Sequence, residues 1–573
     1  MGKSFSIKNI FAAPVIFIML VFLMTFFVQD AKAIEIPKGA SFELMTDIGF
    51  NGSRFYLYSP SHPNLDFDMS RMLNSVVFVY PDKPYYTKEK AWEALTKTGL
   101  LDMAEKEAAY IIMPLPVAGD TWSQADLKLY YESQYYLAGG DVYNYPSMQY
   151  KRLVFNNLQY VIAEGNGSTF VNNILSQHAE RVAGILNFGG KIDKSVKEGL
   201  ALPAYLVNAD KTAVSYYRAV NNADTEAKPG EFENSSYKVK KVITAKGGNA
   251  FDAGIIADAW KQIFSRTARA CVTDNVVLDN KVKSEWVLME RPNYMELGIK
   301  RVDHKKQKLA DGTITTWYDF VPDRVMANPK IKVPLVITLH GMGDDPVYQA
   351  DSNGWTAKAA EKGFIVISPD YPGATAEGEK VVMAILEYAR KTYPIDESRV
   401  YLAGFSMGGA TTAMIGLKNT DKFAAIAPMG ATGYNDDALA ATVNSVKDKT
   451  DMPFVMILGA ADSANVTTDE KGNKIVSGGG PFKGGLKLLM EINNLRNSHP
   501  DYALYPYWGY PAYNPEVLTS MNLKYDVSYM YKEGSDKPIA KLVLFENAGH
   551  AHSDYYATLA WDFFSMFSHS ERK

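Results

Sequence analysis

The sequence predicts an α/β protein built twice over: two domains in tandem, each a mostly parallel central sheet flanked by helices. Three observations lead there. Continuous apolar runs such as Pro334–Leu339, Val400–Ala403, Pro453–Leu458 and Leu542–Phe545 have the length of strands buried on both faces, and turn residues follow them. Helix-like stretches such as Ala410–Leu417 lie between the runs, as crossovers between parallel strands require. The order of these elements in the second half then recurs in the first.

From the N-terminus, Lys3 and Lys8 precede an apolar run from about Ile10 to Val28, and Ala31-Lys32-Ala33 offers an A-x-A cleavage site. Two readings stand. Residues 1–33 are a bacterial-type signal peptide cleaved after Ala33, which makes the protein secreted. Alternatively the run, near the length that spans a bilayer, is a retained anchor with the rest of the chain outside, and this segment is then the only membrane contact. Met1-Gly2-Lys3-Ser4-Phe5-Ser6 fits a myristoylation pattern, but the hydrophobic core behind it argues against that use. Cys271 is the only cysteine, so an exported chain of this size relies on its core rather than on internal disulfides.

At 573 residues two or three domains are expected: 40–272 and 275–573 after the targeting segment, with the junction near Arg269 to Lys283. A 47% hydrophobic and 12% aromatic composition suits large cores. The 60 basic and 64 acidic residues leave a net charge of -4, which gives no electrostatic case for nucleic acid as a partner. No Cys/His cluster has metal-site spacing and no Gly-rich loop precedes a lysine in phosphate-binding form, so neither a metal nor a cofactor is expected. Gly52–Tyr58 in the first half, and Trp286–Met289 with Thr315–Val321 in the second, read as the antiparallel strands that open each sheet.

The chemistry concentrates in the second half. The apolar run Val400–Ala403 ends in Gly404-Phe405-Ser406-Met407-Gly408 and passes into a helix-like stretch. Strand, G-x-S-x-G and helix in that order describe a nucleophile elbow, a turn so tight that side chains two residues either side of the serine collide with it. Pro334–Leu339 ends in a turn at His340-Gly341-Met342, which is positioned to donate a backbone N–H to an oxyanion hole completed by the N–H of Met407. Asp462 follows the strand-like Pro453–Leu458, and His550 follows Lys541–Phe545. The order Ser, Asp, His is the one an α/β-hydrolase uses. A serine hydroxyl is a weak nucleophile at neutral pH. It needs an imidazole to take its proton and a carboxylate to fix the tautomer of that imidazole. Ser406, His550 and Asp462 are therefore the predicted catalytic residues, with His552 the nearest rival to His550. His340, Tyr371, Tyr507 and Trp508 are expected to line the substrate cleft, His340 also orienting the oxyanion turn, and Asp344 and Asp345 lie near the same strand ends.

The first half carries the same pattern without its chemistry. Tyr160–Phe170 parallels Val400–Ala410, and matching Ala163 to Ala403 puts Asn166 where Ser406 stands. Gly247-Gly248-Asn249 with Trp260 parallels Ala548-Gly549-His550 with Trp561, and Leu202–Asp210 parallels the stretch from Met452 to Asp462. On this reading the degenerate site is Asn166, Asp210 and Asn249. An amide neither attacks an acyl carbon nor shuttles a proton near neutrality, so the first domain is expected to keep the fold and lack activity. A scaffold, a cover for the cleft and a ligand-binding module all remain open as its role.

Residues 275–573 resemble the secreted esterases of the polyhydroxybutyrate depolymerase and feruloyl/acetylxylan esterase group. The resemblance rests on Ile395–Gly409, the turn Leu339–Met342, and Gly354-Trp355 ahead of Gly363–Asp370. It implies an α/β-hydrolase fold and carboxylic ester hydrolysis, with the serine, acid and histidine roles at Ser406, Asp462 and His550. Two departures stand out: many polyester depolymerases of the group carry disulfides, and the segment between Asp462 and His550 is long here. That segment holds Tyr502–Tyr513, an aromatic and proline-rich stretch that reads equally as a lid or as packing. Two alternatives to an esterase remain: a prolyl-oligopeptidase-like serine peptidase, which shares the elbow but has no preceding β-repeat here, and a non-catalytic ligand-binding protein made of two hydrolase-like modules.

Overall fold

The computed structural model describes residues 34–46, 54–62, 74–138, 158–271, 286–432, 450–477, 485–495, 500–510, 516–518, 523–546 and 548–572. The expected targeting segment 1–33, most of the expected junction and part of the aromatic stretch 502–513 lie outside these residues. Among the described residues no helix is long and apolar enough to cross a membrane.

Two ten-stranded sheets form in tandem. The first runs, in space, Ser41–Thr46, Arg54–Ser59, Tyr110–Leu115, Val76–Tyr80, Gln159–Glu164, Val182–Phe188, Ala204–Val207, Lys241–Ala245, Glu231–Glu233, Thr225–Lys228. The second runs Ile299–Lys308, Ile314–Pro322, Ile365–Pro369, Val333–Leu339, Ile395–Phe405, Ala425–Met429, Phe454–Gly459, Pro538–Phe545, Leu523–Tyr531, Glu516–Leu518. Both follow one order, with the third and fourth strands exchanged and the last three reversed. In both, the central strands are parallel and the outer strands at each edge antiparallel.

The sequence accounts for this arrangement locally. Val76–Tyr80, Val182–Phe188, Val333–Leu339 and Phe454–Gly459 are buried at every residue, as continuous apolar strands between two helical layers must be. Helices flanking the sheets begin on side-chain caps: Thr87 for Lys88–Lys97, Asp210 for Lys211–Asn221, Asp252 for Ala253–Gln262 and Thr375 for Ala376–Thr392. Each cap is worth about 1 kcal/mol.

An aromatic cluster under the middle of each sheet fixes how the halves correspond. Tyr401 stacks on Phe564 at 4.7 Å, meets Trp561 edge-on at 6.1 Å, and donates its hydroxyl to Phe567 O at 2.8 Å. Tyr160 stacks on Phe264 at 4.7 Å, meets Trp260 edge-on at 5.7 Å, and donates to Thr267 O at 2.6 Å. Each such ring pair adds about 0.5–1.5 kcal/mol beyond area burial. Tyr160 is therefore the counterpart of Tyr401.

Two strand expectations have different outcomes. Gly52–Tyr58 overlaps Arg54–Ser59, the second strand of the first sheet and the positional counterpart of Ile314–Pro322. Trp286–Glu290 does not open the second sheet. It pairs antiparallel with Thr267–Cys271 in a separate two-stranded ribbon, Ala268 facing Met289, and so ties the halves together. The reason is lateral: Ile299–Lys308 already takes the edge beside Ile314–Pro322, and Arg269 plugs the other strand of the ribbon into the first half by donating to Val182 O and Ala201 O.

Near this join, Asp351 lies in the last turn of the helix Pro346–Ser352 and accepts hydrogen bonds from Tyr294 Oη at 2.6 Å and Thr356 Oγ1 at 2.9 Å. Burial outweighs these bonds and the nearby Arg301 and Arg291 and pushes its carboxyl up to about 6. The folded value lies above the unfolded one of about 4, so the folded chain holds this proton more tightly. The group's stabilisation is full below pH 4 and is lost as the pH rises through about 6. In thermal melts of wild type and Asp351→Asn, the variant is expected to gain stability relative to wild type between pH 5 and pH 7.5. A difference that does not vary with pH would contradict this assignment.

Candidate active site

Ser406 lies between the strand Ile395–Phe405 and the helix Met407–Lys418, at φ 55° and ψ -117°. A non-glycine residue there costs on the order of 1–3 kcal/mol. Three close backbone approaches enforce the turn. A Cβ on Gly404 would sit 2.4 Å from Gly408 O, one on Gly408 2.1 Å from Leu339 O, and one on Gly409 2.5 Å from Met429 O. The glycines of the motif are required by space. Ser406 N–H is held by Met429 O at 2.8 Å, so the hydroxyl projects above the ends of the parallel strands.

His550 Nε2 accepts from Ser406 Oγ at 2.7 Å, and His550 Nδ1 donates to Asp462 Oδ2 at 2.9 Å. Three residues from three distant loops thus form one hydrogen-bonded chain. The loops meet because Phe454–Gly459 and Pro538–Phe545 are adjacent parallel strands, ending side by side. A Cβ on Gly459 would lie 2.2 Å from Ala548 O, so the histidine loop rests directly on the end of the acid's strand. Asp462 is fully buried, and its carboxylate is saturated. Oδ1 accepts from Ala464 N at 3.0 Å and Oδ2 also accepts from Asn465 Nδ2 at 2.7 Å. Asn465 further bonds Gly430 O and Thr432 N, which locks the acid's turn to the loop after Ala425–Met429. Sequence reasoning missed Asn465. Its one signal was an amide three residues after the acid, within the turn.

Gly341 sits against the nucleophile: a Cβ there would lie 3.4 Å from Ser406 Cβ and 2.5 Å from Asp344 Oδ2. Met407 heads a helix, so its N–H is free of intrahelical bonding and lies at the positive end of the dipole. The Met342 side chain is exposed. His552, the rival imidazole, does not reach Ser406. It is buried, its Nε2 3.2 Å from Asp344 Oδ2 and its Nδ1 3.1 Å from both Asn353 Oδ1 and Ser352 Oγ, with its ring 4.0 Å from Phe405.

Three of the expected cleft residues are not at the surface. His340 is buried and its Nδ1 lies 2.8 Å from Gly341 O, within the turn itself. Tyr371 is buried and donates to His340 O at 2.8 Å, bracing the same turn. Trp508 is 4% exposed and part of the main core, so this part of the aromatic stretch is packing. Tyr507 is half-buried, and its backbone bridges to Ile475 with N–H to Lys474 O at 2.7 Å. Large aromatics look alike in sequence whether they face core or cleft. Asp345 caps Pro346–Ser352 and burial raises its carboxyl.

The first half requires a correction. With Tyr160 matched to Tyr401, the residue at the position of Ser406 is Gly165, not Asn166. The pairing agrees: Gly184 faces Tyr160 as Ala425 faces Tyr401. So does the backbone, since Gly165 has φ 53° and a Cβ on Gly167 would lie 2.0 Å from Tyr80 O, as one on Gly408 would from Leu339 O. Asn166 takes the place of Met407, and its N–H donates to Asp82 Oδ1 at 2.8 Å. The chain's own carboxylate thus occupies the helix N-terminus. Asp210 is exposed and caps Lys211–Asn221 by accepting from Ala213 N at 2.8 Å. Asn249 accepts from Asn208 Nδ2 at 2.8 Å. The three expected residues form no common site, because Asp210, in the short connection after Ala204–Val207, is taken up as the cap of the helix that follows.

No metal cluster of three or more His, Cys, Asp or Glu side chains occurs among the described residues. No family model matches the chain. It is 36% identical over 135 residues to a bifunctional acetylxylan esterase/xylanase from Neocallimastix patriciarum, covering 22% of this chain and 19% of that protein. It is 28% identical over 135 residues to poly(3-hydroxyalkanoate) depolymerase C from Paucimonas lemoignei, covering 20% and 31%. It is 26% identical over 171 residues to feruloyl esterase B from Neurospora crassa, covering 27% and 54%. The chain thus spans between about a fifth and about half of these relatives' lengths. A solved acetyl xylan esterase from Aspergillus awamori is similar at 13% identity and a TM-score of 0.32, covering 46% of this chain and 99% of that one. The resemblance to the acetylxylan, feruloyl and polyhydroxyalkanoate esterase group stands in the sequence comparisons.

If the first elbow lacks partners as well as a serine, then Gly165→Ser in a Ser406→Ala background should take up no fluorophosphonate. A labelled peptide containing residue 165 would contradict this description of the first half.

Proposed function

We propose that this protein is an exported serine esterase that cleaves carboxylic esters through an acyl-enzyme on Ser406, with acyl or feruloyl groups on polysaccharide, or a polyester, as its substrate class. The hydrogen-bonded chain from Ser406 Oγ through His550 to Asp462 Oδ2 carries this reading. As Ser406 Oγ attacks the ester carbon, its proton passes to His550 Nε2 and the carbonyl electrons move to oxygen. The buried Asp462 carboxylate holds the Nδ1 proton in place and stabilises the imidazolium. The developing oxyanion is met by the N–H of Met407 and by the turn at Gly341-Met342; loss of one such donor costs about a hundred-fold or more in turnover. The tetrahedral intermediate collapses, the C–O bond to the alcohol breaks, and His550 returns the proton to the leaving alcohol. Water then enters, gives its proton to His550 and releases the acid, which restores Ser406.

The relatives' names include acetylxylan, feruloyl and polyhydroxyalkanoate esters, and this motivates the substrate class. A polymer-linked substrate also fits export, which rests on Lys3, Lys8, the apolar run and Ala31-Lys32-Ala33. The single cysteine is compatible with that location.

Wild type should bind a fluorophosphonate at Ser406, and Ser406→Ala should lose both the adduct and hydrolysis of p-nitrophenyl acetate, by on the order of a thousand-fold or more. His550→Ala should lose a comparable factor. Labelling elsewhere, or turnover that survives Ser406→Ala, would contradict the proposal. Parallel assays of acetyl, feruloyl and hydroxybutyryl esters choose among the acyl groups.

A further inference from the structure

The loop that carries His550 is held from two sides, and one side belongs to the first half of the chain. Within the second half, Ala461 N–H donates to Ala548 O at 2.8 Å and Ala557 N–H to Asn353 O at 2.8 Å. The backbone of Asp554 packs so closely on Gly354 that a Cβ there would lie 1.9 Å from Asp554 O. From the first half comes Tyr237, in the loop between Glu231–Glu233 and Lys241–Ala245. Asn234 Oδ1 accepts the N–H groups of Ser236 and Tyr237, both at 2.9 Å, a side-chain turn that presents the tyrosine. Its hydroxyl donates to Asp554 Oδ2 at 2.9 Å and accepts from Glu290 N at 2.9 Å. One phenol thus joins the first half, the connecting ribbon and the histidine loop.

A second contact reaches the same loop. Tyr348 is buried in the hydrophobic cluster of the first sheet, and its ring stands edge-on to His552 at 5.1 Å and 70°. His552 in turn contacts Asp344 beside Gly341. The first half therefore bonds the histidine loop directly through Tyr237 and packs against Tyr348 of the second half, which in turn contacts His552 beside the oxyanion turn.

We infer that the first half of the chain serves as a positioning module for the proposed active site, with Tyr237 as the positioning residue that fixes the His550 loop through Asp554. This rests on the esterase reading above. The physical reason is geometric. His550 must hold both Ser406 Oγ and Asp462 Oδ2, and a displacement of about 1 Å costs on the order of a hundred-fold. Burial raises the Asp554 carboxyl to about 6, so its hydrogen bond from Tyr237 is made in a desolvated setting where a lost partner matters. A half whose own elbow carries Gly165 in place of a serine thus supplies a surface that completes its neighbour's site.

Tyr237→Phe, measured in the full chain, is expected to lower kcat on p-nitrophenyl acetate, and the rate of fluorophosphonate labelling of Ser406, by on the order of ten-fold, with KM changed by less than about two-fold. Asp554→Ala should reproduce the loss. Asp554→Asn, which keeps an acceptor for the phenol, should recover most of it. The double variant Tyr237→Phe/Asp554→Ala should be no slower than Asp554→Ala alone. Thermal melts establish that each variant is folded at the assay temperature. A folded Tyr237→Phe with wild-type kcat and labelling rate overturns the inference, as does an Asp554→Asn as slow as Asp554→Ala. Absence of any adduct on wild-type Ser406 would instead overturn the esterase reading itself.

Discussion

The geometry of the second half depends on one strained turn. Ser406 occupies a backbone conformation that L-residues avoid, and it is held there by contacts of Gly404, Gly408 and Gly409 with neighbouring backbone too close for any side chain. The contacts of Gly408 and Gly409 exist because Val333–Leu339 and Ala425–Met429 flank the strand that ends before the serine. The parallel core of the sheet holds the elbow. The elbow in turn aims a hydroxyl at the point where the acid and histidine loops arrive. Gly408 and Gly409 are thus explained by neighbouring strands, and Gly404 by the tightness of the turn itself.

The first half shows what the same sheet does once that demand is lifted. It keeps the strand order, the aromatic cluster under Tyr160 and a left-handed residue at the elbow. Gly165 takes that conformation without the penalty a serine would bear. The helix N-terminus, where the second half offers backbone donors, is filled by the Asp82 carboxylate. The residues that follow Ala204–Val207 and Lys241–Ala245 serve local capping and turn bonds. The packing demands of the fold are met in both halves, while among the described residues a serine–histidine–aspartate hydrogen-bonded chain forms around Ser406 and not at the first elbow.

The two halves are also coupled. The ribbon of Thr267–Cys271 with Trp286–Glu290, the bonds of Arg269, the contact between Arg291 and Tyr160, and the phenol of Tyr237 make a join that is polar and buried. Buried polar groups with satisfied partners favour one relative placement over others, since any shift leaves a donor or acceptor unmatched. The join ends on the histidine loop, which links the architecture of the first half to the geometry at Ser406.

Local features were readable from sequence alone. The buried strands followed from continuous apolar runs and the elbow from its glycines and serine, and the order of Ser406, Asp462 and His550 after strand-like runs singled out three residues that the structure joins by hydrogen bonds. What depended on contacts across the chain was not. The one-residue offset between Asn166 and Gly165 could be set only by which tyrosine lies under which sheet. The burial of His340, Tyr371 and Trp508, the placement of His552 against Asp344 and Asn353, and the bonds of Asn465 and Tyr237 likewise depend on neighbours far away in the chain. Sequence determines backbone preference and the apolar pattern because both act over a few residues. Which side chains meet is decided by the sheet, which brings residues far apart in number to hydrogen-bond distance.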